Sequence, residues 1–190
     1  MISYLFKNQL LKIIILCLLW IFIVPTNAHS NATGLIKISD DAGRLIELAQ
    51  TAQRVISLSP HATELIYAAG GAEKIIAAVE FSNYPERAKT LPRVGSGYQL
   101  DIEAIVSLQP DLIIAWRSGN SRAQLEQLEN LGLTVYYSEP EILADIGRNL
   151  RDIGVLLGTE SIANKQADEF ILGIERLKQK NKHNKKIKTI

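Results

Sequence analysis

Two side chains with useful chemistry, a tryptophan and a histidine, each follow a predicted buried strand. Leu112 to Ala115 form a short continuous apolar run, typical of a strand covered on both faces in a parallel sheet, and Trp116 comes directly after it. His61 lies in the first turn of a helix that follows the strand signal RVISL at 54–58. Since ligands bind beyond the carboxyl ends of parallel strands, we expect Trp116 and His61 to face one cleft.

Each of these residues can also have a role that involves no ligand. A large aromatic at the mouth of a strand is either the edge of the core or a platform for a ligand. A neutral imidazole at position 61 can ligate cobalt or iron, but a single histidine is more often a solvated polar residue, so we predict no metal site. His29 and His183 lie near the two ends of the chain and form no cluster with His61.

The motifs of common catalytic folds do not occur in this sequence. Neither a G-x-G-x-x-G pattern nor a Walker loop follows a strand, and Gly95-Ser96-Gly97 lacks the surrounding residues of either. There is no G-x-S-x-G nucleophile elbow. The single cysteine, Cys17, lies in an apolar leader, so the rest of the chain holds no thiol nucleophile. We therefore predict a protein that is not an enzyme and carries no cofactor.

The first 28 residues have the pattern of a secretory signal peptide. Two lysines precede the apolar run from Ile13 to Val24, and small residues at 26 and 28 suit a cleavage site. The apolar run is shorter than the ~20 residues that span a bilayer, and an uncleaved anchor is the alternative. We expect a mature protein that begins at His29 and is located in the periplasm.

The composition suits one globular domain with a core of useful size. The chain has 190 residues, of which 47% are hydrophobic, and a formal net charge of +1. Because there is no strong basic excess, nucleic acid is not a predicted partner. The lysines between 178 and 188 are better explained as residues that solvate a helix end and complement its dipole.

After the leader, strand and helix signals alternate. A β-hairpin is predicted from Leu35–Ser39 and Arg44–Leu48, around a turn that contains Gly43. Further strands are predicted at 54–58, 75–79, 112–115 and 133–137. Helices are predicted from Ser59-Pro60 to Gly70, over 100–108 up to Pro110, over 121–131, from Ser138 and Pro140 to Leu157, and from Thr159 to about Lys182.

This alternation predicts a doubly wound, Rossmann-like α/β fold with a mostly parallel sheet and a long C-terminal helix. The stretch from Phe81 to Tyr98 contains too many prolines and glycines for a regular element and is expected to be a long loop. Helical spacing assigns further apolar residues to inward faces, namely Val106, Leu131, Ile142 and Leu143. The last helix has only a narrow apolar stripe and is expected along an outer surface.

The end of the sequence suggests a chain that continues. The last helix leads to KIKTI at 186–190, which has the pattern of a strand. We divide the chain into a signal peptide (1–28), an α/β lobe (29–158), a linker helix (159–184) and the first strand of an absent second lobe (185–190). The alternatives for the final residues are an edge strand or a frayed tail.

Four segments together resemble the N-terminal lobe of cluster III periplasmic binding proteins. They are RVISLSPHATELIYAAG, the loop SNYPERAKTLPRVG, LDIEAIVSLQPDLIIAW and the long closing helix, and the resemblance covers roughly residues 34–190. Members of this family capture cobalamin, haem or iron–siderophores for ABC importers, and the resemblance is nearest to the cobalamin-binding branch. It implies two α/β lobes joined by one rigid helix, with the ligand held between them.

The resemblance also implies roles for individual residues. Tyr84 and Trp116 match positions that face the corrin ring, and a further tryptophan of the family falls where this chain has Gly97, beside Tyr98. Because of this departure, haem and iron–siderophores stay as alternatives to cobalamin. Glu103 matches a carboxylate that pairs with arginines of the permease, although a carboxylate there also favours the helix dipole. A non-transport interaction domain of the envelope is the alternative of another class.

Overall fold

The computed structural model describes residues 34–182, so the predicted signal peptide and the predicted strand at 186–190 lie outside the described residues. The strands are β1 (Ile36–Ser39), β2 (Leu45–Leu48), β3 (Val55–Ser57), β4 (Ile75–Ala78), β5 (Leu112–Ala115) and β6 (Val135–Tyr137). The helices are α1 (Pro60–Ala68), α2 (Ile102–Ser107), α3 (Arg122–Asn130), α4 (Leu143–Leu157) and α5 (Glu160–Asn181), with a 3₁₀ helix at Glu86–Thr90.

The strands form a hairpin and a four-stranded parallel sheet. β1 and β2 pair antiparallel, as predicted, and the order in the larger sheet is β4-β3-β5-β6. The chain moves outward from β3 to β4 and then returns to place β5 on the other side of β3. The sheet therefore has its switch point between β3 and β5, and the predicted doubly wound α/β class is confirmed.

The sheet is covered on both faces, which explains the continuous apolar run of β5. All four residues of β5 are buried. Leu112 and Ile114 belong to the core cluster formed with α1, α4 and α5, whereas Ile113 and Ala115 belong to the cluster formed with α2 and α3. Alternate side chains of one strand thus enter two separate cores, as expected for a central parallel strand.

The start of α1 follows from two adjacent residues. The hydroxyl of Ser59 accepts a hydrogen bond from the amide of Ala62 at 3.2 Å, and Pro60 occupies the first helical position. Serine satisfies an otherwise unpaired amide, and proline has no amide to satisfy there. The predicted helix start is confirmed. It fixes the position of His61 in the first turn of α1, just beyond the end of β3.

Other predicted helix boundaries were wrong. α2 ends at Ser107, three residues before Pro110, and Gln109 adopts a left-handed conformation with φ of 47°. α4 begins at Leu143 and not at Ser138, because the segment between them makes tertiary hydrogen bonds. The Ser138 hydroxyl donates to Asn149, and its carbonyl lies within reach of His61.

The inward faces of three helices are narrower than predicted. Four residues assigned to apolar stripes are exposed, namely Val106, Leu131, Ile142 and Leu143. The first lies on a helix of only six residues, which presents mainly Ile105 to the core. The other three lie at or next to helix ends.

The long helix α5 packs on α4 through small residues. Its fully buried side chains are those of Ala163 and Ala167, and a Cβ at Gly154 of α4 would overlap the Cβ of Ala163. Thr159 is at the N-cap as predicted, but its hydroxyl makes no capping bond and has no partner within residues 34–182. Among the helices that the structure describes, none combines the length and hydropathy needed to span a membrane.

Candidate functional site

Trp116 borders a groove at the switch point of the sheet. The groove has a volume of 160 Å³ and is open to solvent along the ends of β3 and β5. Residues from four segments line it: Leu58, Ser59, Pro60, Glu80, Phe81, Ser96, Gly97, Tyr98, Trp116 and Gly119. Trp116 is 37% exposed, so it is neither a core residue nor a free surface side chain. Trp116 therefore forms one wall of the groove and keeps part of its surface accessible.

The turn after Trp116 is fixed by the buried amide of Asn120. The Asn120 Oδ1 atom accepts from the Trp116 amide at 2.8 Å, and its Nδ2 atom donates to the carbonyls of Leu58 and Gly97, each at 2.8 Å. One side chain thus ties the end of β5 to the end of β3 and to the loop that carries Tyr98. Asn120 was not predicted as a site residue, because its partners are distant in sequence.

Two further aromatic side chains flank the groove, and only one was predicted. Tyr98 is 80% exposed and Phe81 is 77% exposed. Phe81 adopts a left-handed conformation with φ of 65°, which costs a non-glycine residue about 1–3 kcal/mol and is often found at functional sites. Phe81 was missed, although it shortly follows β4, as Trp116 follows β5. Like Trp116, it is an aromatic residue beyond the carboxyl end of a parallel strand, and this was the reason for selecting Trp116.

Tyr84 lies in a neighbouring hollow and not in the groove of Trp116. This second hollow has a volume of 380 Å³ and lies between α1, α4 and α5. It is lined by His61, Glu64, Leu65, Ala68, Tyr84, Pro140, Ile146, Leu150, Gln166 and Phe170. The sequence placed Tyr84 and Trp116 on one ligand face. In the structure they border different hollows, with His61 between them.

His61 contacts Trp116 edge to face. Their ring centroids are 5.5 Å apart and the ring planes are inclined by 89°. The Nδ1 atom lies 3.2 Å from the Ser59 hydroxyl, and the Nε2 atom lies 3.4 Å from the Ser138 carbonyl. Since a carbonyl only accepts, we assign the proton to Nε2 and let Ser59 donate to Nδ1. The two rings are in contact, but His61 lines the second hollow and Trp116 borders the groove, so the expectation that they face one cleft stays a prediction.

This environment favours a neutral imidazole with no free lone pair. Burial lowers the pKa of His61 below its ordinary value, and the Ser138 carbonyl and nearby carboxylates oppose this only in part. Both ring nitrogens already have partners. Within the described residues, no group of three or more histidine, cysteine, aspartate or glutamate side chains could hold a metal ion. His61 is placed to shape the wall of the site.

Glu139 is a third residue, after Asn120 and Phe81, that the sequence did not indicate. Its carboxylate accepts from the Trp116 indole and from Ser118. Burial disfavours the charged form, but the hydrogen bonds from Ser118 and Trp116, together with His61, outweigh it, so the pKa of Glu139 lies below its ordinary value. Glu139 is therefore a carboxylate at neutral pH and lies at the edge of the groove.

Glu103 is separate from both hollows. It is exposed in the first turn of α2, behind the N-cap Asp101, whose carboxylate accepts from the Ala104 amide at 2.9 Å. The Glu103 side chain makes no hydrogen bond or ion pair with any described residue, and it lines neither the groove nor the second hollow. Its carboxylate is thus available to an external partner.

The sequence and the fold both match known binding proteins. A family model described as periplasmic binding protein matches residues 55–190. The vitamin B12-binding proteins of Vibrio campbellii and Yersinia pestis are 42% and 39% identical to this chain over 116 residues. Each alignment covers 61% of this chain, and the two cover 42% and 41% of the respective relatives.

Solved structures give the same result. The vitamin B12-binding protein BtuF of Vibrio cholerae matches with a TM-score of 0.69 and 39% identity, over 72% of this chain and 53% of that one. A periplasmic haem-binding protein from Pseudomonas aeruginosa matches with a TM-score of 0.63 and 28% identity, over 67% and 46% of the two chains. This chain spans about half the length of these relatives.

The family model covers well over half of the chain, and the α/β fold with its four-stranded parallel sheet and long closing helix matches the solved structures. The resemblance found in the sequence is therefore confirmed. The chain belongs to the periplasmic binding protein family, whose members bind ligands and are not enzymes.

Proposed function

We propose that this protein is the substrate-binding component of an ABC importer and that it captures cobalamin in the periplasm. The observation that carries the proposal is the groove at the switch point, with Trp116, Phe81 and Tyr98 around it. Flat aromatic side chains offer a large apolar area at a small cost in conformational entropy, which suits the face of a corrin ring. The vitamin B12-binding relatives support the same ligand.

The charges around the site favour cobalamin over haem. Two carboxylates line the two hollows, from Glu64 and Glu80, and no lysine or arginine lines either hollow. A third carboxylate, that of Glu139, is hydrogen-bonded to the Trp116 indole. Haem carries propionate carboxylates, which such a surface repels, whereas the corrin ring of cobalamin bears mainly carboxamides. Uncompensated like charges at a binding surface are unfavourable. Haem and anionic iron–siderophores are therefore the alternative ligands and not the first choice.

The second hollow extends the proposed site. His61 lines this hollow and contacts Trp116, so the periphery of a corrin ring on Trp116 and Phe81 can extend toward the hollow that Tyr84 lines. We therefore keep Tyr84 as an outer contact, and place Trp116 and Phe81 at the centre. The matched part of this chain covers about half of each relative, and we propose that a full-length binding protein encloses the ligand with a second wall that residues 34–182 do not supply. The expected affinity of this chain alone is roughly micromolar or weaker.

Titration calorimetry with cyanocobalamin and haemin tests the proposal. We expect cyanocobalamin to bind more tightly than haemin, and Trp116→Ala and Phe81→Ala to weaken its binding more than Tyr84→Ala does. Leu131→Ala, which removes an exposed apolar side chain outside the site, is the control. Unchanged cyanocobalamin binding by Trp116→Ala would exclude the groove. If neither ligand binds or stabilises the protein against heat, the non-transport interaction domain becomes the better assignment.

A permease partner is part of the same proposal. The exposed Glu103 has no partner among the described residues, and it is outside both hollows. A carboxylate of this kind is suited to a charge-assisted hydrogen bond with an arginine of another protein. We assign it to docking on the membrane subunits of the importer.

A further inference from the structure

Three hydrogen bonds converge on the carboxylate of Glu139 from the turn that carries Trp116. The indole Nε1–H donates to Oε1 at 3.1 Å, the Ser118 amide donates to Oε2 at 2.8 Å, and the Ser118 hydroxyl donates to Oε1 at 2.5 Å. Bonds to an ionised acceptor are about twice as strong as neutral ones. Glu139 therefore restrains both the side chain of Trp116 and the backbone of Ser118.

The backbone of Glu139 is in turn restrained by a hydrogen bond to the hairpin turn. The Glu139 amide donates to Asp41 Oδ2 at 2.7 Å. Asp41 is a buried carboxylate in the hairpin turn, and it accepts from Asn149 at 2.9 Å and from Arg148 at 2.9 Å. A chain of hydrogen bonds thus runs from α4 through the hairpin to the indole. Each link joins segments that are far apart in the sequence.

Other contacts restrain Trp116 less completely. Gly119 lies against one part of the indole, and His61 meets it edge to face. Neither contact forms a hydrogen bond with the indole nitrogen, and more than a third of the side chain is exposed. An exposed tryptophan without a polar anchor samples several rotamers, and fixing it on ligand binding costs entropy.

We propose that Glu139 is a positioning residue that holds the indole of Trp116 in its binding orientation before the ligand arrives. This inference rests on the proposed function, because it assumes that Trp116 contacts the ligand. Glu139 itself need not touch the ligand. Its effect on affinity comes from preorganisation of the aromatic wall, which reduces the ordering that binding requires.

The test uses the fluorescence of Trp116 in the 190-residue chain. The sequence has two tryptophans, so Trp20→Phe makes Trp116 the sole emitter. In that background, Glu139→Ala is compared with Glu139→Gln and with the control Glu141→Gln, an exposed glutamate two residues away. The emission maximum, acrylamide quenching and cyanocobalamin affinity by calorimetry are measured for each variant, together with unfolding in urea.

We expect Glu139→Ala to raise acrylamide quenching of Trp116 about twofold and to weaken cyanocobalamin binding about tenfold, the size of effect of one lost charged hydrogen bond. Glu139→Gln should recover part of both effects, because its amide oxygen can still accept from the indole. Glu141→Gln should match the parent protein.

Unchanged emission and quenching in folded Glu139→Ala would overturn the positioning role. So would a change in Trp116 emission without any change in cyanocobalamin affinity. If the parent protein binds no cyanocobalamin, the proposed function fails. The ligand-free fluorescence then decides separately whether Glu139 holds the indole, and an unchanged spectrum overturns that role as well.

Discussion

The indole of Trp116 lies directly against the backbone of Gly119. A Cβ atom at position 119 would overlap three ring atoms of the indole, Cε3, Cδ2 and Cζ3. The backbone of Gly119 needs no left-handed conformation, so its lack of a side chain serves the contact and not the turn. The turn after β5 therefore contributes a surface on which the aromatic wall rests.

Gly119→Ala should displace Trp116. The indole must rotate away from the added methyl group, so we expect a shifted Trp116 emission spectrum and cyanocobalamin binding weakened about tenfold or more. Gly173→Ala is the control, since a Cβ there meets no atom within 4 Å. It should leave binding unchanged and slightly stabilise α5. Equal ligand affinity in Gly119→Ala and the parent protein would contradict the assignment of Trp116.

Asn120→Asp should destabilise the fold although the two side chains have the same shape. The carboxylate can still accept from the Trp116 amide, but it cannot donate to the carbonyls of Leu58 and Gly97. Two buried acceptors lose their donor and face a negative charge, so we expect a loss of about 2–4 kcal/mol in the free energy of unfolding. Urea denaturation measures this.

Asn130→Asp makes the same chemical change at an exposed position at the end of α3. It should cost less than about 1 kcal/mol, mainly because a negative charge is unfavourable at a helix C-terminus. If the two variants are equally stable, the three hydrogen bonds of Asn120 do not hold the strand ends together.

The stability of the protein should depend on His61 in mildly acidic solution. Burial lowers its folded-state pKa below the unfolded value, so the unfolded chain takes up the proton first as the pH falls. The contribution of neutral His61 to the free energy of unfolding is fully present above pH ~6.5, and it is lost as the pH falls through the folded-state pKa of His61. The charged groups that act on the ring are Glu139, Glu64 and Asp41, all of which oppose the shift.

Unfolding measured between pH 7.5 and 5.5 checks this expectation. The parent protein should lose stability on acidification more steeply than His61→Gln, which has no ring to protonate. Above pH 7.5, where the imidazole is neutral in both states, the two curves should run parallel. Identical slopes at all pH values would show that His61 is not desolvated in the folded protein.

Glu103→Ala should separate docking from ligand capture. We expect unchanged cyanocobalamin affinity, and a loss of only about 0.3–1 kcal/mol in stability, from the removal of a carboxylate near a helix N-terminus. Binding to the reconstituted membrane subunits of the importer should weaken. Glu160→Ala, which removes an exposed first-turn carboxylate from α5, should have the same small effect on stability but none on docking. Equal permease binding by both variants would remove the docking role of Glu103.

The sequence alone determined the order and type of the elements of this fold and one residue of its candidate site. The run Leu112–Ala115 and the pair Ser59-Pro60 specify a buried strand and a helix start through interactions within a few residues, and such signals can be recognised locally. Alternation of strands and helices was enough to predict the parallel sheet. Trp116 was predicted because it directly follows the most apolar strand.

Only the tertiary structure decided which other residues meet Trp116. Phe81 enters the groove because the backbone turns into a left-handed conformation there, while Tyr84 lies in the next hollow. Asn120 and Glu139 bond to partners up to 98 residues away, and no local pattern indicates such bonds. These contacts depend on the order β4-β3-β5-β6, which brings distant chain segments to the same edge of the sheet. Periodicity and capping are local properties of the chain, whereas a binding site is set by the three-dimensional packing of segments that the sequence keeps apart.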